Sequence, residues 1–597
     1  MVSERRAGWF DAWIERMDLR RGWDARPRPI GLMMLKGIQD KLRKENLYDT
    51  DSMSPVADAI PASPPEGALT GRTIDGTFND LQMPAMGSSG TRFGRNVPLA
   101  DAYPDPPEKL LAPDPRVVSR DLLTRETFQP ATTLNLLAAA WIQFEVHDWV
   151  DHGTPDWETA YRFKLQEGDP WPEDPMRIPR ARRDPTWTEG SGLPPTYRTA
   201  DSHWWDGSQV YGSDPKFAAA IRTGDGGKLR VGPDGLPPAE VEANVDLSGV
   251  AGNFWVGLAL LHGLFMKEHN AICDMLRGGH RDWTDDQLYA KARLIVAGVM
   301  AKIHTVEWTP AIIAHPTSEA AMRIDWYGIV GERAIRRFGR FTKWDLITGV
   351  PGSKKDHHGV PYTLTEEFTS VYRLHPLIPD DFTFRSPADD HVTFEYEFPD
   401  LGVLHVRERM AEIGLASGLY SFGVANPGAI QLHNFPRFLQ EFHRADGTTI
   451  DLAATDVLRI RERGVPRYNR FRERFHRAPV RTFEELTPNR RWQEELRRIY
   501  GDVNDVDLMI GLYAEQPPKG FGFSDTAFRV FALMAPRRVQ SDRFFTTDYT
   551  PAMYTPEGLR WIEGTSMVSL LRRHFPELRP ALQGVTNAFA PWNRVRG

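Results

Sequence analysis

Apolar residues recur at helical spacing through most of the chain. Periods near 3.6 predict helices over 132–150, 254–276, 285–315, 405–418, 431–443, 484–500, 524–541 and 556–574, many starting beside a Ser, Thr, Asp or Asn that can cap a first turn. Strict alternation is scarce, and Val392-Thr-Phe-Glu-Tyr-Glu397 is its clearest instance. The expected fold class is therefore mainly α, with little β. No self-similar period of roughly 20 to 50 residues is present, which sets a solenoid or propeller aside.

At the N-terminus Trp9, Phe10, Trp13, Ile14, Met17 and Leu19 interleave with charges, and a second amphipathic stretch runs from Ile30 to Leu47. Two helices are expected in an arm over 1–48. The arm either packs on the main body or makes peripheral membrane contact, with its basic residues at the rim. Residues 51–115 contain eleven prolines and 170–195 contain seven, so neither can be mostly helical. Both are read as extended wraps around one large domain, 49–597.

Composition narrows the function. The 597 residues are 41% hydrophobic and 26% charged, the balance of a folded globular protein. Lys and Arg (73) nearly match Asp and Glu (80), so there is no electrostatic case for a nucleic-acid partner. The single cysteine, Cys273, excludes an internal disulfide framework and a multi-thiolate metal site. No apolar run reaches the roughly 20 residues of a spanning helix, and no apolar signal segment opens the chain. A cytoplasmic protein is expected, with peripheral membrane attachment as the alternative. HExxH and GxSxG are absent, and Gly226-Gly227-Lys228 is followed by Leu229 rather than Ser or Thr, so the zincin, serine-hydrolase and P-loop readings lose their support.

Three constellations remain. Gln143 and His147 lie four apart and share a helix face, with Asp148 turned aside; alone, such a pair is more often structural. Ser202, the Trp204 carbonyl, Asp206 and Ser208 place hard oxygens at i, i+2, i+4 and i+6. That spacing suits Ca²⁺, with Asp148 as a second carboxylate, or a capped turn before a helix. Tyr372-Arg-Leu-His375-Pro-Leu-Ile-Pro379 sets a His between prolines, three residues after a Tyr.

Together the three strings resemble the peroxidase–cyclooxygenase (animal haem peroxidase) superfamily, and within it the fatty-acid α-dioxygenase family. Further resembling segments are Arg72 to Asp80 with Phe93 to Asn96, Trp141 to Asp151, Trp204 to Gly212, Leu261 to Asn270, Ala301 to Thr309, Glu367 to Asp380 and Lys519 to Asp548. The resemblance implies haem b held non-covalently, His375 as proximal iron ligand, His147 as the distal His that handles peroxide with Gln143, and Tyr372 as the radical-bearing tyrosine. It implies further that His304, Thr309 and Arg543 hold a substrate carboxylate, with Arg537 and Arg538 as helpers at most, and that the 202–208 loop with Asp148 binds Ca²⁺.

The activity so implied is removal of hydrogen from carbon 2 of a fatty acid and addition of O₂, started by H₂O₂, in a chain expected to be a monomer. Val146 stands before His147, and Gly249 to Trp255 lacks an Arg-x-x-Glu pair. Both departures argue against covalent haem. The alternatives are a haem peroxidase of small reductants, a dioxygenase acting at an interior carbon, and a haem-free helical protein docked on membranes through 1–48.

Overall fold

The computed structural model describes residues 9–20, 22–240, 245–249, 253–402, 404–444 and 447–595. Helices dominate, and the strands among the described residues form four separate two-stranded antiparallel hairpins. Three helices make the centre. Leu136–Val146 is buried along almost its whole surface, and it packs on Val256–Gly279, which packs in turn on Asp285–Ile303. A helix apolar on every face belongs in the middle of a large body.

Capping sets where these helices begin. Asn135 accepts from the Ala138 amide at 3.2 Å, so the first central helix starts four residues later than the periodicity over 132–150 predicts. Thr284 and Gln287 form a reciprocal capping box at the head of the third helix. The predicted helix over 524–541 is present as Asp525–Ser541, and the strand at Val392–Glu397 pairs with Asp381–Arg385.

Other expectations are corrected. The 405–418 pattern is two helices meeting at Gly414, whose φ of +73° breaks the first. The 484–500 and 556–574 patterns are likewise split, at Thr487–Asn489 and at the capping box of Ser566 with Ser569. Residues 431–443 form no α-helix, because Asn434 and Phe435 are drawn into hydrogen bonding with the 123–129 segment that follows the π-helical turn Ser119–Leu123 instead. Sequence periodicity also missed Pro316–Tyr327, Gly331–Phe338 and Leu452–Glu462, and the hairpin Asp156–Phe163 with Met176–Arg180.

Residues 1–8 of the N-terminal arm lie outside the described residues. The rest forms helices Trp9–Arg20 and Arg28–Glu45. The second buries Met34, Leu35, Ile38 and Leu42 against Pro316–Tyr327 and Asp525–Ser541 and leaves Ile30 and Met33 exposed. The proline-rich stretch 51–115 wraps as expected, held by Gly94 N to Leu364 O (2.8 Å) and Phe93 N to Tyr197 O (3.0 Å). No described helix is long and apolar enough to cross a membrane.

Candidate active site

His147 closes the first central helix, its amide donating to the Gln143 carbonyl at 2.9 Å. Its Nδ1 lies 3.4 Å from Asn253 Oδ1, while its buried Nε2 has no partner among the described residues. Burial lowers the imidazole to about 4, so it is neutral at pH 7 and available to take a proton. Gln143 is fixed by the Trp255 indole, which donates to Oε1 at 2.7 Å. His262, absent from the sequence reading, stands edge-on to His147 at 5.8 Å, and its Nε2 is also unpartnered.

The short helix Glu366–Val371 ends at Tyr372, and a 3₁₀ turn carries His375–Leu377. His375 Nδ1 lies 3.0 Å from Asp456 Oδ2, and Asp456 also pairs with Arg373 at 3.1 Å. Burial pushes the Asp456 carboxyl up, but the Arg373 and His375 charges more than offset it, leaving it below the ordinary carboxylate value. A carboxylate on the Nδ1 side of the ring, with no hydrogen bond to Nε2 among the described residues, is the placement found behind metal-ligating imidazoles.

The loop that carries His375 is clamped by Arg125, which donates to the carbonyls of Pro376 (3.1 Å) and Ile378 (2.9 Å) and pairs with Asp380 (2.8 Å). Gly428 completes the clamp, since a Cβ there would stand 2.1 Å from the Pro376 oxygen. Nothing near 372–379 in sequence announces Arg125, Gly428 or Asp456. Two imidazoles with open Nε2 atoms, one on a braced loop with a carboxylate behind it, fit the axial and distal places of a haem.

A third set of residues lines a largely apolar cavity. Its wall includes Trp205, His304, Trp308, Thr309, Tyr372 and Phe531. The predicted helix over 285–315 is interrupted at this point by a π-helical turn, His304–Trp308, and such widened turns often mark functional sites. The Trp141 indole lies 3.2 Å from His304 Nδ1. An indole N–H can only donate, so Nδ1 accepts and the proton sits on Nε2, which has no partner among the described residues. Burial and the Arg538 charge hold this imidazole at about 3, so it remains a neutral donor.

Thr309 donates to the His304 carbonyl at 2.8 Å and fixes the turn. Tyr372 stands between Phe368 and Phe531, with ring centroids 4.6 and 4.7 Å away, and its hydroxyl has no hydrogen-bond partner among the described residues. Burial raises its phenol above the ordinary value, so the O–H is retained.

The cation assigned from sequence is misplaced. Arg543 is not in the cavity wall; it is paired with Asp548, bonded to the Ala68 carbonyl and set over the Phe544 ring. Arg537 is engaged by the carbonyls of Val360 (2.8 Å) and Pro361 (3.0 Å). Arg538 differs from both. It is buried one layer behind the wall, 3.3 Å from the Trp149 ring centroid and 4.9 Å from that of Trp205, with no partner on Nε or Nη1 and no ion pair among the described residues. An uncompensated buried guanidinium is costly unless a ligand supplies the anion. Helical spacing held the clue: cavity residues Phe528, Phe531 and Ala535 form a stripe that runs on to Arg538, whereas Arg543 lies past the helix end at Ser541.

Glu145, also missed, is buried on the His147 helix with Oε2 accepting from Trp205 Nε1 (3.0 Å) and Oε1 unpartnered. Burial raises it from 4.5 to about 8, against the opposing pull of Arg538. The unfolded chain releases this proton near pH 4.5 and the folded chain holds it to about pH 8, so stability falls as pH rises through that window. Glu145→Gln is expected to melt at the wild-type temperature near pH 4 and at a progressively higher one by pH 8, the gain amounting to a few kcal/mol at most, on the order of one for each pH unit crossed. Thermal melts across that range provide the check, and a pH-independent difference would contradict it.

In the 202–208 loop, Asp148 bonds Ser208 Oγ, the Ser208 amide donates to Asp206 Oδ1 at 3.1 Å, and the Trp204 carbonyl accepts no hydrogen bond among the described residues. Burial and the nearby carboxylates of Asp201 and Asp206 hold the Asp148 carboxyl well above its ordinary value, a crowding that a divalent cation would relieve. Two features stand against the expected ligand set. Ser202 Oγ accepts from the Trp204 amide at 3.2 Å, and Arg293 takes Asp206 Oδ2 at 3.1 Å. No group of three or more His, Cys, Asp or Glu side chains among the described residues is arranged to hold a metal.

Comparison with known proteins bears on these arrangements. The animal haem peroxidase family model matches residues 71–588. An alpha-dioxygenase of rice (Oryza sativa subsp. japonica) is 38% identical over 97% of this chain and 95% of its own length. Alpha-dioxygenase 1 of Arabidopsis thaliana is 36% identical over 96% of this chain and 90% of its own length. Among solved structures, a rice fatty acid alpha-dioxygenase variant with palmitic acid superposes with a TM-score of 0.91 at 36% identity, over 98% of both chains.

Proposed function

From the premise that this chain belongs to the animal haem peroxidase family, and within it to the fatty-acid α-dioxygenases, we propose that it is the enzyme that converts a fatty acid and O₂ into a 2-hydroperoxy fatty acid. The observation that carries the reading is that Tyr372 lines the same cavity as His304 and Thr309, with Arg538 acting electrostatically on both Tyr372 and His304. A carboxylate at that end sets carbon 2 beside the tyrosine, which also argues against attack at an interior carbon.

His375, backed by Asp456, would ligate the iron of a haem not covalently attached to the chain, and His147 with Gln143 would serve its peroxide chemistry. The haem, when bound, supplies the oxidising equivalent that H₂O₂ delivers. His147, neutral and open at Nε2, takes the peroxide proton. Tyr372, once it has lost its hydroxyl hydrogen atom, takes one from carbon 2. O₂ adds to the carbon radical, and the peroxyl oxygen recovers the hydrogen atom from Tyr372, so the tyrosyl radical is regenerated and atoms balance. Removing a proton from that carbon instead would set a second negative charge beside the carboxylate. His304 Nε2–H and the Arg538 charge fix the carboxylate, and Trp205, Trp308 and Phe531 keep water from the chain.

Mass spectrometry of the products from palmitate and O₂ tests the reading. A 2-hydroperoxide, or the aldehyde one carbon shorter that forms on loss of CO₂, is expected. Oxygen at an interior carbon, or no fatty-acid product beside brisk dye oxidation by H₂O₂, would replace it.

We assign Ca²⁺ to the loop of Ser202, the Trp204 carbonyl, Asp206 and Ser208 with Asp148, where binding requires Asp206 to divide its oxygens between the ion and Arg293. Because Asp148 directly follows His147, chelation is expected to lower the melting temperature by about 1 to 2 °C, the equivalent of about 1 to 2 kcal/mol for a chain of this size. Purified protein free of calcium by elemental analysis, with an unchanged melt in chelator, would leave the loop as a capped turn. The N-terminal arm serves here to cover the body, and the chain acts as a monomer.

A further inference from the structure

The helix Pro316–Tyr327 contributes Met322, Asp325 and Trp326 to the cavity wall, and Val350 contributes again. Between them the chain makes an excursion over 328–349 that is pinched shut at its base. Val350 N donates to Asp325 O at 2.8 Å and Ile329 N to Leu346 O at 3.0 Å. Gly328 (φ +67°) and Gly349 (φ +83°) are needed there, since a Cβ on either would stand 2.0 Å from the carbonyl oxygen of Ile347 or of Trp326. The excursion is thus a built projection, anchored on the cavity wall at both ends.

Its tip is apolar and exposed. Ile329, Phe338, Phe341, Trp344 and Leu346 are each more than half exposed, Phe338 to 70% and Trp344 to 69%. These are five of the fifteen large apolar side chains exposed among the described residues, gathered into eighteen positions, so scatter does not explain them. Basic residues alternate with them. Arg333, Arg337 and Lys343 are exposed and have no ion pair among the described residues, and Arg336 shares Glu332 with Arg323. The segment carries five basic residues against two acidic ones in a chain whose net charge is −7.

Phe, Trp, Leu and Ile interleaved with unpaired Arg and Lys form the pattern that seats a protein at a lipid headgroup boundary: rings and branched chains enter the acyl region, while cations stay at the phosphates. A protein partner would need acidic residues placed against each cation, whereas an anionic bilayer supplies that charge everywhere.

We propose that residues 329–346 are a docking surface for an anionic phospholipid bilayer, holding the wall of the fatty-acid cavity at the membrane so that a water-insoluble substrate passes from lipid to protein without crossing solvent. The reason for docking rests on the fatty-acid reading; the binding itself does not. The N-terminal arm exposes Trp13, Leu19, Ile30 and Met33, each less open than any of the five at the tip, and is the rival surface that the test below separates.

Flotation of the full-length protein with phosphatidylcholine vesicles, with and without phosphatidylserine, tests the proposal independently of catalysis. Wild type should float with the serine-lipid vesicles. Phe338→Ser, Phe341→Ser and Trp344→Ser combined should cut the bound fraction at least about tenfold while leaving oxygen uptake on detergent-dispersed palmitate unchanged. Arg333→Glu with Arg337→Glu and Lys343→Glu should abolish the preference for phosphatidylserine. Hydrogen exchange on the wild-type protein needs no variant: vesicles should protect 329–346. Three outcomes would overturn the proposal. They are wild type that stays unbound, binding lost instead in Trp13→Ser with Leu19→Ser, and a concentration-dependent dimer protected over 329–346 without vesicles.

Discussion

Tyr372→Phe is expected to lose fatty-acid oxygenation by at least about 10³-fold, on the order of 4 kcal/mol in barrier, while binding haem and reacting with H₂O₂ as wild type does. The substitution removes one hydroxyl, and that hydroxyl has no hydrogen-bond partner among the described residues to leave stranded. The ring stays caged by Phe368 and Phe531, so packing changes little. What is lost is the only oxidisable O–H in the part of the wall shared with His304 and Thr309. Trp205 and Trp308 line the same cavity, but Trp205 donates to Glu145 and Trp308 to the Ala138 carbonyl, so both indole N–H groups are tied away from the ligand. Soret absorbance and the rate of peroxide consumption report the haem side, and oxygen uptake with palmitate reports the radical. Uptake within about twofold of wild type, roughly 0.4 kcal/mol, would remove Tyr372 from the mechanism.

Most of this was legible where chemistry lies in short strings. Gln143 with His147, and Tyr372 with His375, are each local strings: spacing put the first pair on one helix face, and the roles of all four came through the family resemblance. The mainly α class was equally plain, because the central helices are apolar over long runs. Legibility failed where partners meet across the fold. Asp456 reaches His375 from a helix some eighty positions later, and Arg125 clamps the same loop from far upstream. Neither leaves a mark near 372–379. Glu145 failed for another reason: on a helix buried on every side, no face is polar, so a carboxyl there looked like any surface charge. The 431–443 pattern misled because a wrapping segment that buries alternate sides can mimic helical spacing over a few turns.

The error over the anchoring cation leads to the second large effect. Arg538→Gln is expected to raise the apparent KM for fatty acids roughly a hundredfold, whereas Arg543→Gln should cost stability and leave KM within about twofold. The magnitude follows from Coulomb's law. A carboxylate about 6 Å from a guanidinium at an effective dielectric of about 20 is stabilised by roughly 3 kcal/mol, a factor of about 10² in binding. Arg538 is buried with no carboxylate paired to it among the described residues, so its charge is unspent until an anion arrives. Arg543 already has Asp548, and removing it would strand that carboxylate rather than the substrate's.

His304 alone does not replace Arg538, because an imidazole held at about 3 donates a hydrogen bond without a charge. A small neutral reductant makes no use of the anchor, and its peroxide-driven oxidation should be unaffected by Arg538→Gln. Steady-state kinetics on palmitate and on such a reductant separate the cases. If both activities fall together, Arg538 supports the fold through Trp149 and Trp205, and the anchor lies elsewhere. If KM rises instead in Arg543→Gln alone, the substrate must displace Asp548, and the carboxylate site moves to the far end of the helix.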